Sequence, residues 1–187
     1  MIMILPHTPA HANAELMQLY DSQSAASTMD VPNDKPHRNA EQIAEWVEAR
    51  VTNAMTINPR SFDKKKKGMM ADFETYAIIE YETYLNSAGL LNTLNNKQLK
   101  LNVISSAPPK LISEGALNGT YRWLFDVPLL LSFYPLEMRT LRAASDTTKS
   151  SLEPNQRVIL RVQVGRLLKP DENRPDGIVI ERWSAVN

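Results

Sequence analysis

The 187-residue chain contains no cysteine, which removes disulfides, thiolate metal sites and cysteine nucleophiles together. Its three histidines, His7, His11 and His37, all precede the helical pattern that begins at Asn39. The folded part is therefore expected to hold no zinc site and no histidine-based triad. Charge of one sign is missing as well: 21 basic and 21 acidic residues cancel, so no global field gathers a polyanion, and nucleic-acid binding would need a local patch. No apolar run reaches the ~18 residues that a membrane-spanning helix requires. Nucleophile elbows, glycine-rich phosphate loops and metal-ligand clusters are absent too. The expectation is no catalytic residue, no metal and no cofactor.

What is present is an ordinary complement of apolar residues, 43% of the chain, enough for one domain with a proper core. Residues 1–38 are set apart by pattern. Met1-Ile2-Met3-Ile4-Leu5 followed by Pro6, with the small-x-small triplet Ala10-His11-Ala12, reads either as the remnant of an export signal or as an ordinary tail. Asn13 to Tyr20 suits a short helix, and Asp21 to Arg38 lacks periodicity, so a flexible N-terminal arm over 1–38 and a single domain over 39–187 are expected.

From the N-cap Asn39, apolar residues Ala40, Ile43, Ala44, Val47, Val51, Ala54 and Met55 recur at helical spacing, with Trp46 widening the stripe, until Asn58-Pro59. A second helix is predicted from Met70 to Ala88, closed by Gly89, with Phe73, Ala77, Tyr81, Tyr84, Leu85 and Ala88 on one arc. Between them Lys64 to Lys67 form the strongest charge run. It reads as a phosphate or anionic-lipid contact, with Arg60 nearby, or as a solvated loop; without aromatic interleaving the loop is the simpler reading. Leu90, Leu91 and Leu94 fit a short helical turn.

The period then changes to two. Leu99, Leu101 and Val103 mark a first strand, and Lys110 to Leu117 a second that meets Asn118-Gly119, a pair suited to a tight hairpin turn. The long strand beyond carries Tyr121, Trp123, Phe125 and Val127 on one face, with a bulge or bend expected at Leu124 and Pro128. Glu137 to Asn155 is a polar connection. Val158 to Val164 and Ile178 to Ala185, joined through Asp176-Gly177, are the last strands. Helices first and strands afterwards is the α+β pattern, here a curved antiparallel sheet with the helices packed in its concave face.

The phrases EGALNGTYRWLFDVPLLLSFYP, QRVILRVQVGR and DGIVIERWSA, after a helix–helix–SAGLL succession, resemble the DotI/IcmL/TraM family of type IVB secretion and conjugation systems over roughly Gln42 to Ala185. The resemblance implies a nuclear-transport-factor-2-like fold and a non-catalytic structural subunit. It would act by protein–protein contact on the periplasmic side of the inner membrane, with other secretion or conjugation subunits and copies of itself as partners. Membrane association would come through partners or an anchor, since the sequence has no membrane helix of its own. The alternative is a small-molecule binder or enzyme using the cavity between helices and sheet, with Glu80 or Asp126 as a base activated by burial and Tyr81 or Tyr84 as hydrogen-bond donors.

Overall fold

Two backbone devices fix the frame. At one end of the helical layer the Asn39 side chain accepts from the Gln42 amide at 2.8 Å while the Gln42 side chain accepts from the Asn39 amide at 3.1 Å. This capping box satisfies donors that a helix start leaves open. In the sheet, Asn118 and Gly119 both take positive φ, 53° and 76°, the twist that lets a two-residue turn join right-twisted strands. The computed structural model describes residues 31–136, 155–169 and 172–186; the N-terminal helix expected near Asn13 and most of the Glu137 to Asn155 connection lie outside them.

Among the described residues there are four α-helices, α1 (Ala40–Met55), α2 (Phe62–Met69), α3 (Thr75–Ser87) and α4 (Leu90–Asn96), with a 3₁₀ turn at Pro59–Ser61 before α2. Five strands follow: β1 (Leu99–Ser105), β2 (Lys110–Leu117), β3 (Thr120–Pro135), β4 (Gln156–Arg166) and β5 (Ile178–Val186). All strand pairings are antiparallel, in the order β1-β3-β4-β5, with β2 also on β3. The 16-residue β3 is the spine. It pairs with β4 along one side, and along the other with β2 over its first half and β1 over its second.

The bulge expected in β3 does not lie in that strand. Burial alternates without interruption from Trp123 to Phe133, and Leu124 simply faces the other way. Pro128 sits where β2 has ended and β1 has not begun. Its carbonyl accepts from the Ser106 amide at 2.9 Å, and since N and O of a strand residue point to the same side, the missing amide is one no ladder needed. The irregularities fall on the flanking strands, at Leu111/Ser113 in β2 and opposite Gln163/Val164 in β5. Bulges at such margins blunt edges against unwanted pairing.

Two helix boundaries also differ from the sequence reading. The second helix starts at Thr75 and not at Met70, because residues 72–74 run beside β5: the Ile180 amide donates to Asp72 O and the Glu74 amide to Ile180 O, both at 2.9 Å. The lysine run is helical, not a loop. Lysine is a good helix former, and Phe62 and Met69, one heptad apart, give α2 just enough apolar face to dock.

The inner face is filled. Ile43, Val47 and Val51 of α1, Ala77, Tyr81 and Leu85 of α3, and Trp123, Phe125, Val127, Leu160, Val162 and Trp183 of the sheet form one buried cluster. The Tyr81 stripe lies over β5, its ring edge-on to Trp183 at 5.3 Å. α1 takes the place over β1 and β3. Tyr81 is fully buried, yet its hydroxyl donates to Ala54 O at 2.8 Å near the end of α1, so the two helices are tied and the polar tip is satisfied.

Residues Asn33 to Arg38, assigned to the arm by sequence, are in contact with the domain. The Tyr121 amide donates to Asn33 O at 2.7 Å, an Arg166 guanidinium to Lys35 O at 2.8 Å, and the His37 ring stands edge-on to Trp123 at 6.2 Å. A segment without apolar periodicity can still dock when its backbone supplies the acceptors. The boundary of the compact unit falls at Asn33 accordingly.

Candidate functional site

The four candidates for cavity chemistry are not brought together. Glu80, at the edge of α3, accepts from Arg182 Nε at 2.9 Å and from the Trp183 amide at 2.7 Å. Asp126 faces the opposite side of the sheet and receives a bidentate pair from Arg161, both bonds 2.8 Å. Each carboxylate oxygen thus already accepts from a cation or an amide. Tyr81 holds the Ala54 carbonyl, and its phenol is pushed up by burial first and by the charge of Glu82 second. Burial also raises the half-buried Tyr84. Phe73, Tyr81 and Trp123 occupy the space between helices and sheet where a ligand would sit. Among the described residues no group of three or more acidic or histidine side chains is placed to hold a metal ion.

The lysine run does not form one patch either. A helix turns about 100° per residue, so four consecutive side chains are spread around most of its circumference. Lys66 pairs with Glu82 at 2.6 Å, a contact that raises its pKa. Lys65 turns inward, half-buried, and donates to the Thr56 carbonyl; burial lowers its pKa. Lys64 and Lys67 remain exposed.

Among the described residues, the outer face of the sheet and the outer side of α3 each carry apolar side chains into solvent. The outer face of the sheet is divided. Towards the hairpin it is polar: beside the Asp126–Arg161 pair, Arg122 Nε donates to Glu181 at 2.6 Å and the Gln163 amide to the same carboxylate at 2.7 Å. This cluster depends on Gly165, because a Cβ there would fall 2.2 Å from Glu181 Oε1. The bulge in β5 makes the arrangement: Ile180 and Trp183 both point inward, leaving Glu181 for the outer face and Arg182 for the edge, where it meets Glu80. Towards β1 the same face mixes apolar with polar side chains, Ile104, Leu130 and Ile159 standing beside Asn102, Ser132 and Arg157. Ile104 is 54% exposed and in register with Leu130, while Ile159, 43% exposed, is in register with Pro128. The second surface is the outer side of α3, with Tyr76 and Ile79 each more than half exposed and Arg182 stacked 4.9 Å from the Tyr76 ring.

Sequence reasoning missed a hub at Asp176, read only as half of a turn dipeptide. Gly177 supplies the positive φ of 65°. The Asp176 carboxylate then accepts from Arg38 at 2.8 Å, from the Trp46 indole at 2.9 Å and from Arg50 at 3.4 Å, while its carbonyl meets the His37 ring at 3.2 Å. Burial alone would raise its pKa, but the bonds from Trp46 and Arg38 and the charges of Arg38 and Arg50 outweigh it, and the net direction is down. His37 is lowered, by burial first and by the Arg166 and Arg38 charges, against the opposing pull of its bond to the Asp176 carbonyl. Three separate segments converge here. The available signal was Trp46, an indole beside an apolar stripe with no evident partner of its own.

A family model described as "Type-IV b secretion system, inner-membrane complex component" matches residues 19–187. Among solved structures, the periplasmic domain of DotI is similar with a TM-score of 0.64 at 17% identity, covering 80% of this chain and 96% of that one. A periplasmic fragment of TraM gives 0.62 at 15% identity, covering 80% and 99%. CagV of Helicobacter pylori, a VirB8 homolog of a type IV secretion system, gives 0.52 at 9% identity, covering 78% and 96%. At these identities the structural likeness establishes the fold, the nuclear-transport-factor-2-like arrangement of helices in a curved sheet. Among functionally curated proteins none matches the sequence.

Proposed function

Because the chain belongs to the DotI/IcmL family of type IVb secretion-system inner-membrane complex components, we propose that it is a non-catalytic structural subunit of a secretion or conjugative transfer apparatus. In this reading it works by protein–protein contact at the periplasmic side of the inner membrane. The observation that carries the reading is the family match over residues 19–187. The filled inner face and the committed carboxylates of Glu80 and Asp126 support it, since they leave the cavity little to do. The partner surfaces are then the β1 side of the outer sheet face and the outer side of α3, where Ile104, Ile159, Tyr76 and Ile79 stand in solvent. Among the described residues no helix is long and apolar enough to cross a membrane, so in this role attachment would come through partners or through residues outside that set.

Transport in cells carrying the rest of the apparatus tests the proposal. Ile79→Asp and Ile104→Asp place a charge on each surface without touching the core. Loss of transport with either, at unchanged level and melting temperature of the protein, is the expected result. Unimpaired transport with both, combined with loss on Glu80→Gln or Asp126→Asn in a protein that still folds, would replace the scaffold reading with chemistry at those carboxylates.

A further inference from the structure

Segment 33–38 is held on the domain from both ends. The Tyr121 amide at the start of β3 donates to Asn33 O at 2.7 Å, Arg166 at the end of β4 donates to Lys35 O at 2.8 Å, and Arg38 pairs with the Asp176 carboxylate at 2.8 Å. His37 lies between these ties, half-buried, edge-on to Trp123 and bonded through Nε2 to Asp176 O at 3.2 Å. A carbonyl can only accept, so Nε2 carries the hydrogen of the neutral ring, and a proton added to it goes to Nδ1. Nδ1 is buried and meets no acceptor among the described residues.

We propose that segment 33–38 is an acid-released strap: protonation of His37 undocks it from β3, β4 and the Asp176 turn while the rest of the domain stays folded. The surrounding charges set the direction. Arg38 acts on the ring from the segment itself and Arg166 from β4, while Arg50 of α1 meets the same Asp176 carboxylate. Against them stand Asp176, Asp72 on Arg50, and Asp34, which acts on Arg166. From β3 come Trp123 and Tyr121, whose phenol bonds Glu114 of β2. Each of the aspartates already faces a guanidinium, so a proton on His37 adds positive charge to pairs that are already balanced, in a place where burial makes it costly. Burial first, then the Arg166 and Arg38 charges, hold His37 below its ordinary value of 6.5. Docking is therefore at full strength above that value and weakens as pH falls from there through the lower docked value. Release has a mechanical consequence: residues 1–32 join the compact unit at Asn33, and freeing segment 33–38 moves that junction to Asn39 and adds up to ~20 Å of extended chain.

Amide exchange in the full chain, read by NMR and corrected for its intrinsic pH dependence, is the test, because the Tyr121 amide bonds the strap directly. Between pH ~7.5 and pH ~5 the protection of Tyr121 should fall about tenfold or more, while that of Val162, inside the β3–β4–β5 ladder, stays unchanged. The midpoint of the Tyr121 change should coincide with the titration of the His37 ring. His37→Phe keeps an aromatic ring on Trp123 and takes no proton, so its Tyr121 protection should not respond to pH; His7 and His11 remain in that variant, which isolates His37. If His37→Phe leaves Tyr121 unprotected at both pH values, the parent decides alone, by whether its two midpoints coincide. The proposal is overturned if Tyr121 protection in the parent ignores pH, if Val162 loses protection along with it, if docked His37→Phe keeps the parent's response, or if the midpoints of Tyr121 and His37 differ.

Discussion

Replacing Trp123 by alanine removes the side chain on which three parts of the molecule meet. The residue is fully buried in the middle of the β2–β3–β4 ladder, paired with Glu114 on one side and Val164 on the other. Its ring stands edge-on to Tyr121 at 5.0 Å and to His37 at 6.2 Å. Truncating a core tryptophan costs ~3–5 kcal/mol through lost transfer energy and the cavity left behind. The Tyr121 contact accounts for ~0.5–1.5 kcal/mol of that. For a domain of this size each kcal/mol shifts the melting temperature by ~2–4 °C, so a fall of roughly 6–20 °C is expected. Urea unfolding followed by circular dichroism avoids reliance on tryptophan emission. If Trp123→Ala cannot fold, Trp123→Phe keeps most of the ring and should show a smaller loss. The His37→Ala cycle isolates the docked segment: the double mutant should be less destabilised than the sum of the singles, because both act on one contact. A Trp123→Ala protein melting within about 2 °C of the parent would show that β3 presents its other face to the helices, and the burial argument would be wrong.

Three further outcomes follow from the same contacts. Asp176→Asn should destabilise at neutral pH: the folded state holds this carboxyl below its ordinary value of 3.8, so its contribution is fully present above that value and is lost as pH falls from there through the lower folded-state value, and the parent and variant stability curves should converge in acid. Gly165→Ala should cost on the order of 1–2 kcal/mol by displacing Glu181 from Arg122 and Gln163, with part of the loss recovered when Glu181→Ala is added; equal effects with and without Glu181 would exclude the steric cause. A chain beginning at Asn39 should melt below one beginning at Asn33, since the shorter chain loses the bonds to Tyr121, Arg166 and Asp176; identical melting would mean that the segment 33–38 contributes no stability.

The elements that were legible in the sequence are those whose period is enforced by a single packing partner. The stripe on α1, the alternation in β1 and β4 and the Asn118-Gly119 turn each follow from one local requirement, a buried face or a positive φ, that the residues state directly. Misreadings occur where the deciding group lies far along the chain. Met70 to Glu74 has a helical pattern, but two backbone bonds to Ile180, more than a hundred residues away, outbid one turn of helix. Pro128 is a strand breaker by rule, and is harmless only because β1 and β2 leave a gap opposite it. Four lysines give no apolar signal, yet Phe62 and Met69 at their flanks are enough when Tyr81 and the core are there to receive them.

The surface was harder to read than the core for the same reason. Glu80 and Asp126 stand next to apolar stripes, a position that fits a catalytic base as well as an ion pair, and the sequence does not show that Arg182 and Arg161 arrive opposite them. Arg161 could have been paired with Asp126 from strand register alone, because a fixed hairpin and an alternating β4 leave few alignments. Arg182 could not, because it reaches Glu80 only through the extra residue in β5, and a bulge has no signature in a run such as Ile178 to Trp183. Gly165 was the one visible hint, since a glycine inside a strand marks close approach by something, here the Glu181 carboxylate. The same logic separates Lys65 from its neighbours: nothing in four identical letters says which one faces inward, and only the docking of α2 through Phe62 and Met69 selects the lysine that reaches the Thr56 carbonyl.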